Sequence, residues 1–215
     1  MNVLVIGANG KVGKKIVQKL ADSKHEAIAM VRKEEQMDKL KEIGASNVVL
    51  ADLEKDFSHA FDGVDAVIFA AGSGGSTGAD KTLIVDLWGS IKAMDMAKEK
   101  GIKRFVQLSS IGAGNPDEQG DKIKHYMVAK GVADRSLQAT DLDYTIVRPG
   151  VLTDEDPIGK IKTADVFSSN IDDKSITRAD VAHVLVNVLE RPNTSKKAFE
   201  VLQGEKSIGE AMNAL

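Results

Sequence analysis

The sequence predicts a doubly wound α/β fold, a mostly parallel sheet with helices on both faces. Three observations carry this. Short apolar runs alternate with longer amphipathic segments along the 215 residues, a pattern that implies crossover connections in one sheet. The runs are rich in Val and Ile and mostly lack the polar alternation of a half-wet strand, so they fit burial on both faces. The segment Lys11–Asp22 places Val12, Ile16, Val17 and Leu20 on one side, as a helix packed on a sheet does.

Six strands are expected first, at Val3–Ile6, Ala27–Val31, Val48–Leu50, Ala66–Ala70, Phe105–Leu108 and Tyr144–Val147. The intervening helices are expected at Lys11–Asp22, Glu34–Ile43, Asp80–Lys100, Ile123–Ala139 and Arg178–Leu189. Lys197–Leu202 predicts a last strand and Ser207–Leu215 a short closing helix. Leu152–Asp173 is polar and gives few signals. With so few apolar runs, residues 151–215 cannot build a core of their own. Residues 1–215 are therefore expected to form one domain, with 151–215 closing the substrate side. The long polar stretch Gly112–Lys124 has the length of a binding loop or lid.

The first strand runs straight into Gly7-Ala8-Asn9-Gly10-Lys11-Val12-Gly13 and then a helix. In such a turn the first glycine permits the tight bend. The second lets backbone approach a pyrophosphate, and the third lets the helix sit close to the strand. The anion lies at the helix N-terminus, among unpaired N–H groups. Strand before and helix after supply the context this motif needs, so the sheet is read as a Rossmann dinucleotide-binding sheet.

The second strand ends in Val31-Arg32-Lys33. An acid at this point serves the ribose 2′-hydroxyl of NAD. Arg32 can instead pair bidentately with a 2′-phosphate, which a carboxylate would repel. NADP is accordingly expected over NAD. Asp52-Leu53 follow the third strand, where an adenine ring would pass, although Asp52 serves equally well as a helix cap. Ala70-Ala71-Gly72 follow the fourth, where small residues let a ribose lie against backbone. Ligands of open α/β sheets bind outside these carboxyl ends.

The fifth strand ends in Ser109-Ser110, and Tyr126-Met127-Val128-Ala129-Lys130 follows on a helix. Tyr126 and Lys130 stand one turn apart on one face. A nearby ammonium favours a phenolate, which suits a tyrosine to exchange a proton with an alcohol or carbonyl. A serine hydroxyl facing both can hold the carbonyl oxygen.

With these residues in view, the sequence resembles the short-chain dehydrogenase/reductase superfamily. It is most similar to the atypical subgroup related to NAD-dependent epimerase/dehydratase and NmrA-like proteins. The resemblance rests on Gly7–Gly13, Ala70–Gly72, Gly101–Val106, Ser109-Ser110, Tyr126/Lys130 and Arg148-Pro149-Gly150. It implies that Tyr126 handles the proton, Lys130 binds the nicotinamide ribose, and Ser110, or less readily Ser109, polarises the substrate. Pro149 and Gly150 would border the nicotinamide. Asp86 stands where many members carry an Asn that anchors a relay water. A carboxylate there can bind that water or pair with Lys130. Extended sugar-nucleotide epimerases carry a larger C-terminal region, so a nucleotide-sugar substrate is not expected.

Composition excludes several classes. The net charge of −3 gives no support for nucleic-acid binding. No apolar run approaches a membrane span. The start Met1-Asn2-Val3-Leu4 lacks the basic opening and long apolar region of a secretory signal, so a cytoplasmic protein is expected. With no cysteine, thiol chemistry and Cys-ligated zinc are excluded. His25, His59, His125 and His183 show no ligand spacing, so no metal is expected. The leading expectation is an NADP-dependent oxidoreductase acting on a small carbonyl or alcohol. A non-catalytic NADP sensor, a flavin or quinone reductase and an epimerase or dehydratase are the alternatives.

Overall fold

Strands apolar on both faces need a helix layer on each side, and the chain supplies both. In the computed structural model residues 1–75, 77–168 and 174–215 are described. The order is β1 (Asn2–Ile6), α1 (Lys11–Ala21), β2 (Glu26–Val31), α2 (Met37–Glu42), β3 (Asn47–Leu50) and β4 (Ala66–Phe69). A long helix follows, made of α3 (Ala79–Lys81), a π-helical stretch (Thr82–Trp88) and α4 (Gly89–Glu99). Then come β5 (Arg104–Leu108), α5 (Asp121–Gln138), β6 (Asp143–Pro149), β7 (Val151–Thr153), β8 (Lys160–Ala164) and β9 (Ser175–Thr177). α6 (Arg178–Asn187), β10 (Lys197–Gln203), β11 (Lys206–Ser207) and α7 (Ile208–Asn213) complete the described chain.

The main sheet has nine strands in the order β11-β8-β10-β6-β5-β4-β1-β2-β3. From β3 across to β10 every neighbouring pair is parallel. β8 and β11 form an antiparallel edge, and β7 pairs with β9 apart from the main sheet. The mostly parallel, helix-covered Rossmann sheet expected from sequence is what forms. Strands from the last third of the chain extend this same sheet.

Side chains alternate along each strand, so β1 feeds two cores. Val3 and Val5 pack with Ile16, Val17 and Leu20 of α1 and with Val181 and Leu185 of α6. Leu4 and Ile6 pack on the other face with Phe61, Met94, Ala97 and Leu137. Burial of such side chains stabilises the fold by about 1.5–3 kcal/mol each. Arg104 ties the last third of the chain to the centre. Its buried guanidinium donates to the Asp143 carbonyl at 3.0 Å, the Thr145 hydroxyl at 2.8 Å and the Val188 carbonyl at 2.5 Å. Burial lowers its pKa, and nearby Asp143 acts the other way.

The sequence reading gives no element to 152–173, yet β8 lies there. Its reason is visible in the burial: only Ile161 of Lys160–Ala164 is fully buried, so this strand leaves almost no apolar pattern. Residues 169–173 of that stretch lie outside the described residues. The predicted helix Glu34–Ile43 is a short 3₁₀ turn at Glu34–Gln36 followed by α2.

Two histidines give the fold a pH dependence. Burial pushes His25 and His183 below the ordinary value of 6.5. Glu190 pulls His25 back up, and Asp180 does so for His183, while Lys24 and Lys19 add to the lowering. The unfolded chain therefore binds these protons more readily than the folded one, and stability is lost as the pH falls below about 6.5. Melting temperatures measured from pH 8 to pH 5 should fall on the acid side. The slope should shrink in a His25→Asn/His183→Asn variant, and an unchanged slope would contradict this assignment.

Candidate functional site

The site is built first on backbone contact. Gly7 has φ +88°, and a Cβ on it would stand 2.6 Å from the Ala71 backbone. Both facts require glycine. A Cβ on Gly13 would stand 2.2 Å from the Gly7 carbonyl oxygen and 2.8 Å from Ala8 Cα. Gly10 differs: its Cβ would meet nothing nearer than the Gly7 carbonyl at 3.2 Å, and the residue lines the adjacent cleft. The Gly10 amide donates to the Gly7 carbonyl at 2.9 Å, closing the turn. α1 then starts with no side-chain cap and no acid in its first turn. Its free N–H groups and positive dipole end remain for an anion. Gly10 is thus an open cradle that a side chain would fill, at a helix end that favours a diphosphate.

A cleft of about 360 Å³ opens above this turn, at the carboxyl ends of β1 to β4. Of the residues expected to bind cofactor, Gly7, Asn9, Gly10 and Arg32 line it. So do Asp52, Leu53, Ala70, Ala71 and Gly72. Val12 and Gly13 do not; they are buried between α1 and the strands. Lys11 points elsewhere as well, to Asp154 at 2.6 Å, and Arg178 meets the same carboxylate at 2.9 Å. Lys33 turns to Glu35 at 3.1 Å and does not line the cleft. Arg32 is exposed and in no ion pair among the described residues, so its charge is available. Asp52 accepts the Glu54 amide at 3.0 Å, closing a turn; no helix starts there, so the cap its sequence position allowed does not form.

The cleft also contains Gln36, Glu54, Thr77, Lys81 and Val85, which sequence reasoning did not select. Gln36 sits within one turn of Arg32-Lys33, which is the one signal that pointed to it. Lys81 and Val85 lie one helical turn apart on the strand-following helix, and nothing in their types distinguished them.

The remaining predicted residues lie beyond that cleft, around the ends of β5 and β6. Lys130 is buried on α5, and its ammonium donates to the Leu108 carbonyl at 2.7 Å. Tyr126 stands one turn earlier, half-buried, with no hydrogen bond from its hydroxyl among the described residues. The Ser109 hydroxyl donates to Asp134 at 2.8 Å. Ser110 makes only a 3.3 Å contact to the Ile111 carbonyl. Pro149 accepts the Ile111 amide at 2.9 Å, and the Gly150 amide donates to Val201 at 3.2 Å. Asp86 is buried on the π-helical stretch and accepts the Ser73 amide at 2.8 Å. It forms no ion pair with Lys130 among the described residues. Its carboxylate instead fixes the turn after β4.

Beneath these residues is a polar cluster. Asp134 is fully buried and receives Arg148 Nε at 2.9 Å as well as Ser109. Burial raises its pKa, against the opposing pull of Arg148, Ser109 and Lys130. Glu200, on β10 opposite Arg148, is also buried; it accepts the Phe167 amide at 2.8 Å and the Gly112 amide at 3.4 Å. Sequence reasoning missed both acids. The signal for Asp134 was its spacing: Met127, Lys130, Asp134 and Leu137 share one buried face of α5.

A family model described as NAD(P)H-binding matches residues 7–192. The chain belongs to this NAD(P)H-binding family. A Bacillus subtilis protein named as an uncharacterised sugar epimerase is 43% identical over the whole of both chains. Among solved structures, a Bacillus halodurans protein described as a candidate NAD-dependent epimerase/dehydratase is 50% identical. It superposes with a TM-score of 0.97, covering all of both chains. An oxidoreductase from Lactococcus lactis is 33% identical with a TM-score of 0.88, over 100% of this chain and 96% of that one. The atypical short-chain dehydrogenase/reductase affinity expected from the motifs therefore holds, and the ligand of the family is a nicotinamide dinucleotide. No helix among the described residues is long and apolar enough to cross a membrane.

The three glycines should separate experimentally. Gly13→Val forces a side chain into the Gly7 carbonyl and should prevent folding. Gly10→Val should fold, with a melting temperature lowered only by the 3.2 Å approach to the Gly7 carbonyl, yet weaken NAD and NADP alike, by at least about tenfold. Calorimetry with both cofactors checks this, and undiminished binding in Gly10→Val would refute the cradle.

Proposed function

We propose that the protein is an NADP-dependent reductase of a small carbonyl compound, working in reverse on the alcohol. The observation that carries this reading is the placement of Lys130. Its ammonium is anchored at the Leu108 carbonyl at the end of β5, next to the chain leading into Ser110, and its residue stands one helical turn after Tyr126. A fixed cation beside a phenol is what a tyrosine acid needs.

Arg32 supports the choice of NADP. It lines the cleft with its charge uncommitted, in the position that would face a 2′-phosphate, and no acid stands at the end of β2. The glycine turn and the α1 N-terminus would hold the diphosphate. The dinucleotide, when bound, supplies the hydride. The protein's own part is the proton. Tyr126 would donate it to the carbonyl oxygen as that oxygen gains charge, and Lys130 would stabilise the phenolate left behind. Ser110 would hold the same oxygen, because the Ser109 hydroxyl is already committed to Asp134. Asp86, bonded to the Ser73 amide, would shape the turn that borders the cofactor rather than relay a proton.

Two outcomes test the reading. Arg32→Asp should weaken NADP by about 10- to 100-fold, the value of a charge-assisted contact, and leave NAD less affected. Titration of wild type and variant with both cofactors measures it, and equal wild-type affinity for the two defeats the NADP assignment. Tyr126→Phe should lower turnover of a carbonyl substrate by about 10²–10⁴-fold with NADP affinity retained, because the phenol acts in the transition state. Full activity in that variant would point instead to direct hydride transfer onto a flavin or quinone. A wild type inert to a carbonyl and quinone panel, yet tight for NADP, would point to a sensor.

A further inference from the structure

Two charged residues face each other across the cleft wall. Glu54 follows β3 and Lys81 ends α3, and Lys81 Nζ lies 2.7 Å from both carboxylate oxygens. Both line the cleft, and their side chains are only 34% and 40% exposed. They come from two different walls, one following β3 and one following β4.

The base of the Glu54 loop is held independently. Lys92 of α4 donates to the Leu53 carbonyl, and to the Lys55 carbonyl at 3.3 Å. The same ammonium lies 5.0 Å over the Phe57 ring. Leu53 rests against Gly89, where a Cβ would come within 3.1 Å of it. These contacts hold the backbone on both sides of Glu54 and leave the ion pair to join its side chain to the helix.

With that pair made, the loop after β3 and α3 are joined across a cleft also lined by the glycine turn, the end of β2 and the turn after β4. The pair also settles an electrostatic problem. An unpaired Glu54 carboxylate in a cleft that takes phosphates would repel them, and Lys81 neutralises it at contact distance. The geometry points to Glu54 and Lys81 as a clasp that retains the adenosine half of the cofactor and must part for it to leave. This rests on the reading that the cleft takes that half of a nicotinamide dinucleotide.

A clasp controls escape more than entry, so stopped-flow dissociation of NADPH is the measurement. Lys81→Met and Glu54→Gln should each speed dissociation by about fivefold, the scale of a half-exposed ion pair. Association should change less than twofold. The charge-reversed Lys81→Glu/Glu54→Lys variant should recover most of the lost residence time. Unchanged dissociation in both single variants overturns the clasp while leaving the cofactor site standing. A slow step sensitive to Lys81→Met but not to Glu54→Gln, without recovery on reversal, also overturns it, because Lys81 would then touch the cofactor directly. A wild type that binds neither NADPH nor NADH sinks the cleft reading and the clasp together.

Discussion

Backbone packs directly on backbone at Gly7 and Gly13, and the cleft above the glycine turn exists because of it. β1 and the segment leaving β4 touch at Gly7 and Ala71, while α1 presses onto β1 through Gly13. No side chain fits at either contact. That closeness brings the N-terminal N–H groups of α1 to the sheet edge, where a diphosphate can reach them. It also leaves Gly10 as the open member of the trio. The two closely packed glycines, Gly7 and Gly13, are therefore folding constraints, and the exposed Gly10 is the one proposed to act in binding, although all three belong to one sequence motif.

The other half of the site rests on buried charge. Asp134, Arg148, Lys130 and Glu200 lie beneath the ends of β5 and β6, all at most 8% exposed. Taking such groups out of water is costly, and pairing them seldom more than offsets the cost. A well-packed apolar cluster would serve stability at least as well. What the charges add is direction. Asp134 fixes the Ser109 hydroxyl, Lys130 holds the carbonyl before it, and Glu200 receives amides from two separate loops. Each bond sets the path of the chain that carries Ser110, Pro149 and Gly150. Rigid support of this kind is what a reacting geometry requires.

The central strands were legible because double burial makes them plain apolar runs, and the glycine turn because its spacing answers a geometric need. Tyr126 and Lys130 were legible as helical neighbours. What sequence did not reveal has physical reasons. Strand β8 buries one residue in five, so no pattern marks it. The π-helical stretch at Thr82–Trp88 uses residues that suit an α-helix equally, and nothing in their types records the extra residue per turn. Asp134 was not selected, because nothing in its type marks it as buried and acids are mostly exposed. Glu54 and Lys81 were invisible as a pair, since contact between residues 27 apart is set by topology.

Charge placement makes sense of these pieces together. Lys11 and Lys33 are the exposed basic residues nearest the motif, yet both are satisfied by carboxylates, Asp154 and Glu35. Lys81 is satisfied by Glu54. That leaves Arg32 as the cleft-lining cation in no ion pair among the described residues. A cleft whose cations are all paired would bind a dinucleotide through backbone alone and would not distinguish a 2′-phosphate from a hydroxyl. On the proposed NADP reading, the unpaired guanidinium at the end of β2 would supply the difference, its partner coming from the ligand. The Lys11–Asp154–Arg178 contact has a separate effect. It places the glycine turn in contact with the chain between β7 and α6, so the segment expected to close the substrate side meets the turn proposed to hold the cofactor.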